Sequence, residues 1–287
     1  MNLLDDSGDG EQRRRAQGTT NAPAEDTLVE EARNTAAAGA DRLNRSWRAL
    51  VVTGLFGGID VGLGIMAMVL VREATGSAIL SGLAFGVGLI ALKMAHSELF
   101  TEEFLLPINA IVAGEGTLVQ LLRLWSVTLL TNLVGGWLFT WLLVVAFPAY
   151  HDTFVEAAEG YLVDRPWPVA LALAVLAGST ITLVTRMQQG TADDVAGMVM
   201  ALISGMLVVG LGMLHGALNS IIIFAAIHAG GDIGYLEWLR WAAWVIPANM
   251  LGGLVIITLP RLVRVGELLL AIRRGELELD PEEESDS

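Results

Sequence analysis

From residue 47 onward, long apolar runs alternate with short polar ones. A bilayer core of about 30 Å needs about 20 helical residues, and four runs reach that length: 49–71, 118–147, 169–185 with its flanks, and 241–260. Two further runs are interrupted. Residues 79–114 break at 96–103, and residues 195–229 break around His215 and Gly216, each leaving a longer and a shorter half. The first break is charged, with Lys93, His96, Glu98, Thr101, Glu102 and Glu103 placed between pieces too short to cross a bilayer separately. The pattern predicts an all-α integral membrane protein with six crossings, two of them broken helices.

Six crossings put both termini on one side. Arg42, Arg45 and Arg48 before the first span, and Arg261, Arg264, Arg273 and Arg274 after the last, mark that side as cytoplasmic through the positive-inside bias. Residues 1–46 hold no continuous apolar stretch of the signal-peptide kind, so they are expected as a polar cytoplasmic tail with a short amphipathic helix at 28–43. The transmembrane domain is then 47–262. Residues 263–287 form a cytoplasmic helix and an acidic tail, and the composition of 5–12 and 281–287 is that of disordered segments.

The chain repeats itself internally. Met94 to Leu99 resembles Met213 to Leu218 at an offset of 119, Ala110 to Gly114 matches Ala226 to Gly230 at 116, and Arg123 with Asn132 to Gly136 matches Arg240 with Asn249 to Gly253 at 117. Each unit holds three spans. Because three is odd, the second unit enters the membrane from the opposite face, which predicts a 3+3 inverted repeat whose two breaks meet near the midplane. Irregular backbone at that depth is tolerated where it is buried in protein or lines a cavity, so the charged stretch reads as pore wall.

Composition agrees. The 287 residues are 54% hydrophobic and 17% charged, with mean hydropathy +0.58, a membrane-protein balance. The net charge of −14 says little about a pore, since 17 of the 31 acids lie in 5–41 and 267–286. No cysteine is present, which removes disulfides and thiolate metal sites. An intramembrane metalloenzyme is disfavoured because His96, Glu98, His215 and His228 offer no His-Glu-x-x-His helix and no three ligands on one face. No nucleotide-binding loop appears, and neither a cofactor nor a nucleic-acid partner is expected.

Intramembrane ionisable groups need a partner or a water-filled cavity. Counted from the outer ends of the first two spans, Asp60 and Lys93 differ in depth by about 5 Å, so two readings stay open: a structural pair, Asp60–Lys93 or Lys93–Glu98, and a free Lys93 that draws anions. Glu98, Glu102 and Glu103 are expected to cap the short half-helix that follows them. Gly54, Gly57, Gly58, Gly62 and Gly64 form a seam for close helix packing.

Several motifs carry a family likeness: Glu98-Leu-Phe-Thr101 in the first break, Asn132-Leu-Val-Gly-Gly136 in the third span, His151 to Glu156 in the linker, His215-Gly-Ala-Leu-Asn219 in the second break, and Asn249-Met-Leu-Gly-Gly253 in the last span. Over roughly residues 45–262 the sequence resembles the formate/nitrite transporter family. Leu-Phe-Thr-Glu followed by Pro107, with Leu-Leu-Arg-Leu-Trp125 beyond, is similar to its atypical YfdC-like branch. The resemblance implies an aquaporin-like fold with one pore per protomer, a homopentamer embedded in plasma (inner) membrane lipid, and a small-anion or weak-acid substrate. It implies further that Thr101 and His215 face each other across a vestibule between apolar constrictions at Leu99 and Leu214, with Phe100 and Asn219 completing the two motifs. The family's asparagine partner of the histidine falls on Gly178, so that partner is missing. Asp60, Lys93 and His96 also depart from the pattern, and the linker lacks the family's lysine.

A bare anion loses hydration worth many kcal/mol in apolar surroundings, whereas a weak acid can pass as the neutral molecule. Histidine exchanges protons near neutrality, so His215 is expected to donate or relay a proton to an anion that Thr101 positions; a neutral, hydrogen-bonded packing role is the alternative. The altered vestibule leaves a channel for a small neutral solute as a second functional reading.

Overall fold

The computed structural model describes residues 22–191 and 193–277, and the tails expected to be disordered lie outside them. Among the described residues every element is helical: α1 (Ala22–Asn44), α2 (Trp47–Thr75), α3 (Ala78–Met94), α4 (Leu106–Ala113), α5 (Leu118–Ala146), α6 (His151–Leu162), α7 (Trp167–Gln189), α8 (Asp194–Gly210), α9 (Gly216–His228), α10 (Tyr235–Leu251) and α11 (Leu259–Arg273). A π-helical stretch, Gly252–Thr258, joins the last two. Among the described residues four continuous helical stretches are long and apolar enough to cross a membrane: α2, α5, α7 and Tyr235–Arg273.

The helix ends follow from local chemistry. Ser46 caps α2 by accepting from Ala49 N–H, and Gly76 ends it at φ +65°. Thr117 and Gln120 form a reciprocal capping box on α5, and Asp193 accepts from Val195 and Ala196 at the start of α8. The two interrupted runs stop alike. Just past α3 the backbone turns left-handed at His96 (φ +54°), and just past α8 at Gly212 (φ +60°).

Small residues set the packing. A Cβ on Gly58 would lie 2.0 Å from the Asn132 carbonyl oxygen, and one on Gly135 2.1 Å from that of Leu55. These contacts bring α2 and α5 within backbone distance, so the expected glycine seam is an interhelical one. The long half-helices α3 and α8 cross the same way, at Gly82, Gly86 and Gly205.

α1 departs from the expected polar tail with a short helix. It runs 23 residues, and Ala32, Ala36 and Leu43 are fully buried. Gly39 sits over the Leu106 carbonyl, Asn109 Nδ2 donates to Thr35 Oγ1 at 3.0 Å, and Ala32 and Ala36 share a cluster with Ala113, Val265, Leu269 and Ile272. A narrow stripe of small residues carries this contact. Averaged over the whole segment, the charged residues around that stripe hide it.

Candidate functional site

Two asparagines build the breaks. Asn132 of α5 accepts the Phe100 N–H on Oδ1 at 2.9 Å and donates Nδ2 to the carbonyls of Gly54 and Glu98 at 2.8 and 2.7 Å. Asn249 of α10 repeats this: Oδ1 accepts from Gly216 N–H at 2.6 Å, and Nδ2 donates to Ala174 and Leu214 at 2.7 and 2.8 Å. Unwound backbone leaves donors and acceptors that helix geometry would otherwise satisfy, and each side-chain amide supplies the complement. Both asparagines are fully buried.

The segments held in this way bring Thr101 and His215 together. Thr101 Oγ1 lies 3.0 Å from His215 Nε2, and each residue is about 1% exposed. His215 is also the N-cap of α9, its Nδ1 accepting the Leu218 N–H at 3.1 Å. An imidazole nitrogen that accepts carries no proton, so the neutral ring bears its hydrogen on Nε2 and donates to Thr101. The threonine hydroxyl proton is then free to point elsewhere. The tautomer is fixed by the helix cap rather than by an asparagine of α7.

Gly178 takes a different place from the one expected. A Cβ there would lie 2.0 Å from the Asn249 carbonyl oxygen, the same relation that Gly58 has to Asn132. Gly178 is therefore a helix-crossing residue of α7 against α10, with no space for an asparagine side chain there. Leu99 and Leu214 belong to one contiguous buried apolar cluster. Phe100 packs edge-on to Phe104, with ring centroids 5.1 Å apart. Asn219 Oδ1 accepts the His215 backbone N–H at 2.5 Å.

The expected charge network is corrected. Lys93 Nζ bonds Asp194 Oδ1 at 2.9 Å, so neither Asp60 nor Glu98 is its partner, and it is not a free cation. Its stem crosses Gly197, where a Cβ would meet Lys93 Cε at 2.2 Å. Glu98 instead pairs with Arg45 at 2.7 Å and accepts from Thr53 Oγ1 at 3.0 Å. Glu103, fully buried, pairs with Arg42 at 2.6 Å. No side chain caps α4; arginines reaching in from the α1 end and the α1–α2 junction engage these carboxylates instead. Asp60 is half-buried, with Oδ2 unpartnered. His96 is exposed and lines a cavity of about 280 Å³ with Arg42, Arg45, Lys93, Glu98 and Glu102.

Sequence reasoning missed Arg42, Arg45 and Asp194 as partners. The arginines were assigned to membrane orientation alone, and Asp194 is remote from Lys93 along the chain. Trp125 was a motif residue without a role; its Nε1 donates to the Glu103 carbonyl at 3.0 Å, and its ring packs edge-on to Phe104.

Long apolar helices, two interrupted runs tied by buried asparagines, and a threonine–histidine pair between the breaks define a multi-pass membrane transporter or channel fold. The sequence matches the Formate/nitrite transporter family over residues 29–263, and the chain belongs to that family. It is 28% identical over 229 residues to the formate channel BtFdhC of Bacillus thuringiensis, covering 75% of this chain and 86% of that one. Among solved structures, an FNT family ion channel aligns with a TM-score of 0.71 at 20% identity, over 83% of this chain and 98% of that one. A pentameric formate channel with formate bound aligns at 0.64 and 18%, over 77% and 99%. These two likenesses concern the fold.

Proposed function

We propose that the protein conducts small monovalent anions, formate and nitrite foremost, across the membrane in the form of their weak acids. The observation that carries this reading is the Thr101–His215 contact, a hydroxyl and an Nε2–H held at 3.0 Å in a buried apolar setting. A charged carboxylate would lose its hydration there without a counter-charge. The neutral acid loses far less, and the threonine hydroxyl is free to donate to its carbonyl oxygen. Family membership and the formate-channel relative favour an anion over a neutral solute.

The protomer is read as a 3+3 inverted repeat of six spans. Support comes from the matched roles of Asn132 and Asn249, of Gly58 and Gly178, and of His96 and Gly212. The arginines near both ends of the spanning region argue for cytoplasmic termini in a plasma (inner) membrane. Residues 47–262 form the permeation domain, and the flanking segments 1–46 and 263–287 lie in the cytoplasm, with α1 and α11 packed beneath α4. Assembly as a homopentamer follows the solved formate channel. The assignment to the YfdC-like branch rests on Leu-Phe-Thr-Glu, Pro107 and Leu-Leu-Arg-Leu-Trp125, and Trp125 ties two of these motifs together by donating to the carbonyl of Glu103, which directly follows Leu-Phe-Thr-Glu.

Reconstituted protein tests the reading. Proteoliposomes should take up formate, nitrite and acetate faster as external pH falls, with water and glycerol flux at the level of empty vesicles. Flux of neutral solutes with no acid uptake would overturn it.

A further inference from the structure

The last span continues past the membrane. Tyr235–Arg273 is one helical stretch of 39 residues, about 58 Å long at 1.5 Å per residue, nearly twice the roughly 30 Å of a hydrocarbon core. The 20 residues from Trp241 to Pro260 are about what the core needs, so Arg261 and Arg264 fall at the level of the inner headgroups. α7 descends beside this stretch. A Cβ on Gly252 would lie 2.0 Å from the Val175 carbonyl oxygen, and one on Gly253 2.5 Å from Thr182 Oγ1, and the next turn of α7 carries Arg186 to the same level.

Three guanidiniums meet there. Arg261 stands in the field of both Arg186 and Arg264, with Glu31 of α1 as the opposing charge. Glu31 is committed to Arg186, bonding Nη2 at 2.7 Å and Nε at 3.1 Å. Among the described residues neither Arg261 nor Arg264 forms an ion pair, and Glu30 and Glu267, the other acids near this corner of α1 and α11, are exposed. Like charges crowded at the edge of a low-dielectric region call for a counter-ion, and the guanidinium fork fits the oxygens of a phosphate. On the membrane side of the arginines the surface is apolar and open: Ile256 and Leu259 are 49% and 52% exposed, and Leu183, one turn before Arg186, is exposed on α7. A free phosphate would use the arginines alone, whereas a phospholipid uses this flank as well.

We propose that Arg261 and Arg264, backed by Arg186, bind the phosphate of an anionic phospholipid of the inner leaflet, with its acyl chains along Ile256, Leu259 and Leu183. The proposal rests on the cytoplasmic placement of α11 and is independent of what the pore conducts. The phosphate supplies the missing counter-charge and leaves Glu31 to Arg186, the bond that ties α1 to α7. α1 in turn packs on the short half-helix α4 through Gly39 and Thr35, so the lipid steadies the segment that underlies the first break.

Native mass spectrometry of the delipidated assembly in neutral detergent tests it, with phosphatidylglycerol, phosphatidylcholine of the same acyl chains, and inorganic phosphate as probes. The parent is expected to retain phosphatidylglycerol about tenfold or more over phosphatidylcholine. Arg261→Gln and Arg264→Gln should each weaken that retention about fivefold, and the double variant about 25-fold. Arg48→Gln, at an exposed arginine near the start of α2, should retain the lipid as the parent does. Phosphatidylglycerol should raise the melting temperature of the parent and leave that of the double variant where it is. Parent-like retention by the double variant, equal retention of the two lipids by the parent, or displacement of phosphatidylglycerol by inorganic phosphate would overturn the site. The same spectra report assembly: a double variant that dissociates with no lipid added marks this face as a contact between copies of the chain, which also overturns it.

Discussion

The backbone N–H of Leu218 donates to Nδ1 of His215 at 3.1 Å, so the imidazole that faces Thr101 is also the cap of α9. A second proton on the ring would set a donor against a donor. It would cost the cap, worth about 1 kcal/mol, and add an unpaired charge in an apolar site. The contact therefore favours the neutral ring with its proton on the Thr101 side, a hydrogen-bond donor in the resting site.

The pH profile of uptake follows from that. Formic acid belongs to a class titrating near 4, so at fixed total formate the undissociated fraction rises about tenfold per unit as pH falls from 8 to 5. Influx should track that fraction in a straight logarithmic line. A bend near 6.5, the ordinary histidine value, would mean that the imidazolium forms during transport.

Gly178 and Gly58 make the same close approach to Asn249 and Asn132, each with a Cβ position 2.0 Å from a carbonyl oxygen. Gly178→Ala and Gly58→Ala should each destabilise the protein by at least about 1–3 kcal/mol through overpacking, read as a lower melting temperature in detergent. Gly160, where a Cβ meets nothing within 4 Å, is the control: Gly160→Ala should hold or slightly raise it.

The two breaks, the four long spans and the asparagine motifs were legible in the sequence because hydropathy and an internal offset need no side-chain contacts to be seen. The fate of Gly178 was less so. Counting back from His215 assigned it a polar role by analogy, whereas the repeat itself, setting Gly58 beside Asn132 and Gly178 beside Asn249, would have assigned it a crossing. Pairing of charges was the least legible part. Lys93 found Asp194 on another helix, and Glu98 and Glu103 found arginines at the foot of the bundle, because such partners depend on how α1, α3 and α8 are rotated, which spacing along one span does not encode.

The Lys93–Asp194 pair is partly solvated, with 23% and 67% of the two side chains exposed, and exposed pairs contribute about 0–1 kcal/mol. Lys93→Gln should leave formate influx within about twofold of the parent and stability nearly unchanged. A large, salt-sensitive loss of influx would restore the anion-lure role for this lysine.

Arg42 and Glu103 are another matter, since Glu103 is fully buried. Arg42→Ala strands a buried carboxylate and should cost about 3–5 kcal/mol. Arg42→Met combined with Glu103→Leu should recover much of that loss. Chemical unfolding in detergent, comparing the single and double variants, measures the difference.

The claim on which transport depends is that the permeant molecule passes the Thr101 hydroxyl where it meets His215. The most direct measurement is formate influx through Thr101→Val, which keeps the shape of the side chain and removes only the donor, in vesicles with protein content and assembly matched to the parent. The account expects influx to fall at least about tenfold, as loss of one transition-state hydrogen bond implies; influx equal to the parent's would contradict it.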